Sequence, residues 1–117
     1  MRQRFQQIAH YFETLTPESV STLKDYYSET ARFKDPFNEV VGVPAIQKIF
    51  EHMFVSLEKP HFVITGQVIE GDQAFLTWEF RFRFKRFDTQ TDQVVLGTSH
   101  LVLDADQRIS LHRDYWD

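Results

Sequence analysis

Near residue 61 the spacing of apolar side chains changes from a helical to a strand period, and this switch restricts the chain to helices first and a sheet second. Ahead of it, Phe5, Ile8, Ala9, Phe12 and Leu15 form one stripe on a helix over residues 3–15. Thr16-Pro17-Glu18 predicts a second helix start, by cap, first-turn proline and favourable charge. Its buried face would carry Val20, Leu23 and Tyr27. Ala31 to Pro36 alternates as a short strand. Gly42-Val43-Pro44 then opens a third helix with Ile46, Ile49, Phe50, Met53, Phe54 and Leu57 on one face, ended by Lys59-Pro60. Beyond the switch, strands are predicted over 61–70, 73–87, 94–103 and 108–116. In the long strand Ala74, Leu76, Trp78, Phe80, Phe82 and Phe84 face one way, with Thr77, Glu79, Arg81, Arg83 and Lys85 opposite. The order α-α-β-α-β-β-β-β is α+β, a curved antiparallel sheet wrapped around helices, with residues 1–117 forming one domain.

Composition narrows the chemistry. The net charge of −4 argues against nucleic-acid binding, and the short basic stripe of Arg81, Arg83, Lys85 and Arg86, with Glu79 beside it, reads as a solvated face. Without cysteine, disulfides, zinc–thiolate sites and thiol nucleophiles are excluded. His10, His52, His61, His100 and His112 lack metal-ligand spacing, so no metal is expected. No Gly-rich phosphate loop occurs, and no cofactor is expected. No leader and no membrane-spanning run is read, so a cytoplasmic location is expected. The one excess is aromatic: 12 Phe, 4 Tyr and 2 Trp can fill a core or line an apolar pocket.

Three places carry candidate chemistry. Asp35 ends the short strand on the side of Phe33, and a carboxylate turned inward there would be desolvated and suited to act as a base. The bland reading is that Asp35-Pro36 simply begins a turn. Tyr11, at the edge of the first helical stripe, could donate to an oxyanion or rest as a boundary tyrosine. On the last strand Ser110, His112, Asp114 and Trp116 share one face, with Ile109, Leu111, Arg113 and Tyr115 on the other. His112 and Asp114 thus stand side by side, about 7 Å apart along the strand. They could form an orienting pair in a cavity or a surface ion pair.

The stretch Tyr26-Tyr27-Ser28-Glu29-Thr30-Ala31-Arg32-Phe33-Lys34-Asp35-Pro36-Phe37, the helix after Gly42, Trp78, Ser99-His100-Leu101 and the terminal Ile109–Trp116 together resemble the nuclear-transport-factor-2-like superfamily, within it the SnoaL-like and ketosteroid-isomerase-like proteins. The resemblance implies a cystatin-like cone: three N-terminal helices enclosed by a curved, mostly antiparallel sheet. It implies Asp35 as base, Tyr11 as hydrogen-bond donor and Tyr27 as supporting tyrosine. Ser99 stands where those isomerases hold a protonated acid and Phe50 where they hold a tyrosine, so a steroid isomerase is disfavoured. Catalytic candidates are therefore Asp35, Tyr11, His112 and Asp114. Ligand-lining candidates are Tyr27, Phe33, Phe50, Phe54, Trp78, Phe80, Ser99 and Trp116. The expected activity is cofactor-independent isomerisation, cyclisation or hydration of a small apolar ligand with one polar group. The alternative is a non-catalytic binding or assembly module. A homodimer is expected through the outer sheet face, formed by Thr77, Glu79, Arg81, Arg83, His100, Arg113 and Tyr115.

Overall fold

In the computed structural model, which describes residues 1–116, the helices and strands follow the predicted order with one strand added. Helix α1 spans Arg2–Glu13 and buries Phe5, Ile8, Ala9, Tyr11 and Phe12. The second helix is a short 3-10 helix, Ser19–Asp25, too brief for a full amphipathic face. Tyr27 is therefore not helical. It opens β1, Tyr27–Lys34, which starts four residues before the predicted strand. A turn leads into β2, Glu39–Val41, a strand that alternation does not reveal because it has only three residues. Helix α2, Val43–Ser56, begins with Pro44 in its first turn, where a missing N–H costs nothing.

The remaining strands are β3 (Leu57–Glu70), β4 (Gln73–Phe84), β5 (Gln93–Leu103) and β6 (Ile109–Trp116). They form one six-stranded sheet in the order β2-β1-β6-β5-β4-β3. All pairs are antiparallel except β1 with β6. Strand β3 begins where α2 ends, four residues earlier than predicted. Lys59-Pro60 does not end the helix but sits where the ladder shifts between Glu58 and His61. Because β3 is an edge strand, Pro60 withholds its N–H from no interior ladder.

The concave side of the sheet holds the core. Ala74, Leu76, Trp78, Leu101, Leu103 and Ile109 are buried there with α1, α2 and the 3-10 helix. One facing expectation fails for a definite reason. Ile109, expected on the outer side with Leu111, Arg113 and Tyr115, is fully buried. The β5–β6 register shifts between Val102 and Leu103, so Val102 pairs with Leu111 and Leu103 with Ile109. This bulge reverses the alternation and brings Ile109 and His112 to the same side.

Candidate functional site

Among the described residues two polar side chains are buried in the core, Ser99 and His112, and both belong to one hydrogen-bonded chain. Strand pairing explains the meeting. Leu76 pairs with Ser99 and Ser99 with Asp114, while Phe33 pairs with His112 across the parallel β1–β6 seam. The Trp78 indole N–H donates to Ser99 Oγ at 2.9 Å, and Ser99 donates to Asp114 Oδ1 at 2.5 Å. His112 Nε2 lies 2.7 Å from the same Oδ1, and its Nδ1 lies 2.6 Å from the Tyr27 hydroxyl. Among the described residues no buried side-chain polar atom is left without a partner.

Counting donors assigns the protons. With Asp114 ionised, His112 must donate from Nε2, so a neutral imidazole presents Nδ1 to accept from Tyr27. A protonated His112 would instead donate from Nδ1 to the Tyr27 oxygen, so the same contact serves either state of the ring. Burial first, and then the negative charge of Asp114, push the Tyr27 hydroxyl well above the usual phenol range. Tyr27 thus keeps its proton at ordinary pH. Rings pack around the imidazole: Phe33 at 4.8 Å, Phe12 at 5.6 Å and Tyr27 at 5.9 Å between centroids.

Asp114 also borders a cavity of about 320 Å³ between α2 and the sheet. Phe33, Phe50, Trp78, Phe80 and Trp116 line it. A constriction of about 20 Å³, the size of one water, adjoins Ser99 and His112. Asp114 Oδ1 accepts two hydrogen bonds, and Oδ2 accepts none among the described residues. Trp78 can lie flat over the strand because its neighbour on β5 is Gly97. A β-carbon there would collide with the indole ring.

The other expected residues fall elsewhere. Tyr11 does not reach the cavity: its hydroxyl donates to the Ser19 carbonyl at 2.9 Å, and its ring stacks on Tyr26 at 4.1 Å. Burial raises that hydroxyl above the usual phenol range. Tyr27 reaches the site through His112 rather than by lining the cavity. Phe54 packs against the core, while its neighbour Met53 faces the cavity. Asp35 is half-buried at the cavity border. Its Oδ1 accepts from the Phe37 and Asn38 backbone N–H groups at 2.8 and 2.6 Å and from the Asn38 side chain at 3.1 Å. That is the turn-forming role of an Asp before Pro. Sequence reasoning misses Phe62, Met53 and Gly97 as parts of the site. The strand period around Phe62 and Ile64 carries the signal for the first. Only the partner across the ladder reveals the last.

Among the described residues no group of three His, Asp or Glu side chains converges as a metal site. No described helix is long and apolar enough to cross a membrane.

Known proteins share this fold. The structure aligns with a candidate SnoaL-like polyketide cyclase of Shewanella denitrificans OS-217 at TM-score 0.81 and 19% identity, covering 100% of this chain and 92% of that one. A Mycobacterium tuberculosis LEH-like epoxide hydrolase aligns at TM-score 0.79 and 14% identity, over 99% and 84%. A Catenulispora acidiphila protein with a ketosteroid isomerase-like fold, solved in complex with trimethylamine, aligns at 0.80 and 17%, over 97% and 85%. No curated protein matches the chain. At these identities the structural matches establish the nuclear-transport-factor-2-like fold. Residues 8–112 match the model of the SnoaL-like domain, and the chain belongs to that family.

Proposed function

We propose that this protein binds a small, mostly apolar molecule bearing one polar group and moves a proton on it without a cofactor, by isomerisation, cyclisation or hydration. One observation carries the reading: the Trp78–Ser99–Asp114–His112–Tyr27 chain ends at a ring-walled cavity with one carboxylate oxygen uncommitted among the described residues. Asp114 is the base of this proposal. Its Oδ2 takes a proton from the ligand or from a water, the electron pair stays behind on the ligand or the water oxygen, and the proton is later returned. His112, Ser99 and Tyr27 are positioning residues that hold the carboxylate in one orientation. Asp35, the base expected from the sequence, serves here as a second carboxylate at the border, because its Oδ1 is committed to the turn. Tyr11 takes no part.

The family context supports this reading. Relatives of the same fold include a candidate polyketide cyclase and an epoxide hydrolase, and another holds trimethylamine, a small molecule with apolar substituents around one polar atom. The test is turnover of a panel containing a β,γ-unsaturated ketone, a β-keto ester with a tethered aldehyde, and an epoxide. At least one should react, and Asp114→Asn should slow it by roughly 10²-fold or more. Unchanged turnover in that variant removes Asp114 from the role. No turnover across the panel, with the cavity still binding 2-naphthol, leaves the non-catalytic binding module as the answer.

A second reading concerns assembly. The outer sheet face exposes Leu96 and Tyr115 and carries Phe75 stacked on His100 at 4.5 Å. Glu79 pairs there with Arg81 at 2.7 Å, while Arg113 lies over the Tyr115 ring at 4.9 Å. We propose that a second copy covers this face. Light scattering of wild type at micromolar concentration should give the dimer mass, and Leu96→Glu should give the monomer. A monomeric wild type removes the proposal.

A further inference from the structure

Among the described residues, every side-chain polar hydrogen around the deep end of the cavity is already committed. Trp78 donates to Ser99, Ser99 and His112 donate to Asp114, and Tyr27 and His112 share a hydrogen bond. The described cavity wall contains no lysine, arginine or hydroxyl side chain. It contains two carboxylates, Asp35 and Asp114, and five phenylalanines with two tryptophans. Outside that chain, the one side-chain donor the described wall offers a ligand is the Trp116 indole N–H, against two carboxylates, so an entering anion would meet like charge and little compensation for lost water.

Nor do nearby lysine or arginine side chains neutralise the two carboxylates. A wider groove of about 580 Å³ shares Asp35, Asp114 and Trp116 with the cavity and adds Lys34 and Arg113. Yet Lys34 pairs with Glu39 at 3.5 Å, and the Arg113 guanidinium lies over Tyr115. Among the described residues neither Asp35 nor Asp114 forms an ion pair with lysine or arginine. The one basic side chain among the described residues in contact with Asp114 is the His112 imidazole, which binds Oδ1 and leaves Oδ2 open toward the cavity. Ring faces carry negative potential as well, and they attract cations most strongly when water is excluded.

We infer that the cavity selects a cation, a tertiary amine or quaternary ammonium with apolar substituents, held between the Asp35 and Asp114 carboxylates and the surrounding rings. The inference rests on the reading of this cavity as a small-molecule site and names its substrate class. The ligand brings the positive charge that the walls lack, and its apolar substituents fill the space that water would otherwise occupy.

The probes are benzyltrimethylammonium, its neutral carbon isostere neopentylbenzene, and the anion benzylsulfonate, each titrated against the fluorescence of Trp78 and Trp116. Wild type should bind the cation about tenfold or more tighter than the neutral isostere, with the anion weakest. Asp114→Asn should remove most of that preference, read as the ratio of cation to neopentylbenzene affinity in the same variant. Asp35→Asn, whose amide oxygen can still accept the turn hydrogen bonds, provides a second variant and should reduce the preference in the same direction. Cation and isostere binding within about threefold of each other in wild type overturns the inference. So does a preference that survives in both variants. If none of the three probes binds, the small-molecule reading itself fails, whereas binding of the neutral isostere alone leaves that reading standing and removes only the cation.

Discussion

Replacing Tyr27 by Phe isolates the innermost link of the buried chain. The ring stays, with its packing against Phe12 and His112, and only the hydroxyl is lost. His112 Nδ1 then faces the bare edge of the introduced phenyl ring, in a core where the imidazole is 3% exposed. Stranding a buried acceptor costs about 1–3 kcal/mol, so a loss of about 2 kcal/mol is expected at pH 7. For a chain of this length that corresponds to a fall in Tm of roughly 8 °C. The pH dependence adds a sharper test. Burial and Asp114 raise the Tyr27 hydroxyl in the folded protein well above its usual value. Below about pH 10 tyrosine is neutral in both states and its stabilisation is complete. Above that, the unfolded chain ionises while the folded one resists, so wild type loses about 1.4 kcal/mol per pH unit from this residue until the folded hydroxyl titrates. The variant has no such loss. Urea denaturation at about pH 7, 10 and 11 should therefore show the gap between the two proteins narrowing to well under about 1 kcal/mol at the highest pH. Equal stability at neutral pH, or a gap that stays constant across the series, would refute the hydrogen bond and the burial argument together.

Other perturbations follow from the same contacts. Gly97→Ala places a methyl group against the Trp78 ring, and the indole must tilt away from Ser99. The expected cost is about 2–4 kcal/mol by urea denaturation, with a changed near-ultraviolet tryptophan signal. Asp35→Ala removes the acceptor of three N–H groups in the turn before β2 and should cost about 1–2 kcal/mol, whereas Asp35→Asn should restore most of it. Tyr11→Phe should leave probe binding in the cavity unchanged, because its hydroxyl bonds Ser19 outside the site; weakened 2-naphthol binding in that variant would contradict the geometry.

Much of this molecule is legible one residue at a time. The α2 stripe, with Ile46 and Phe50 buried, and the inward set Ala74, Leu76 and Trp78 follow from periods of 3.6 and 2, because burial of one face is a local property of a regular element. The pairing of His112 with Asp114 on one strand face is legible for the same reason, since both residues lie beyond the β6 bulge. What the chain alone does not reveal are relations between distant elements. From the sequence Tyr11 is the expected donor and Tyr27 a supporting residue. The parallel β1–β6 seam brings Tyr27 to His112, and the 3-10 helix takes the Tyr11 hydroxyl. Likewise, the sequence offers Asp35 an inward carboxylate or a turn, and the fold gives it both, a place on the cavity border and four hydrogen bonds from Phe37 and Asn38. Local periodicity sets which way a side chain faces. Only the packed sheet, with its bulges and register, sets which side chains meet and which hydrogen bonds are left open to a ligand.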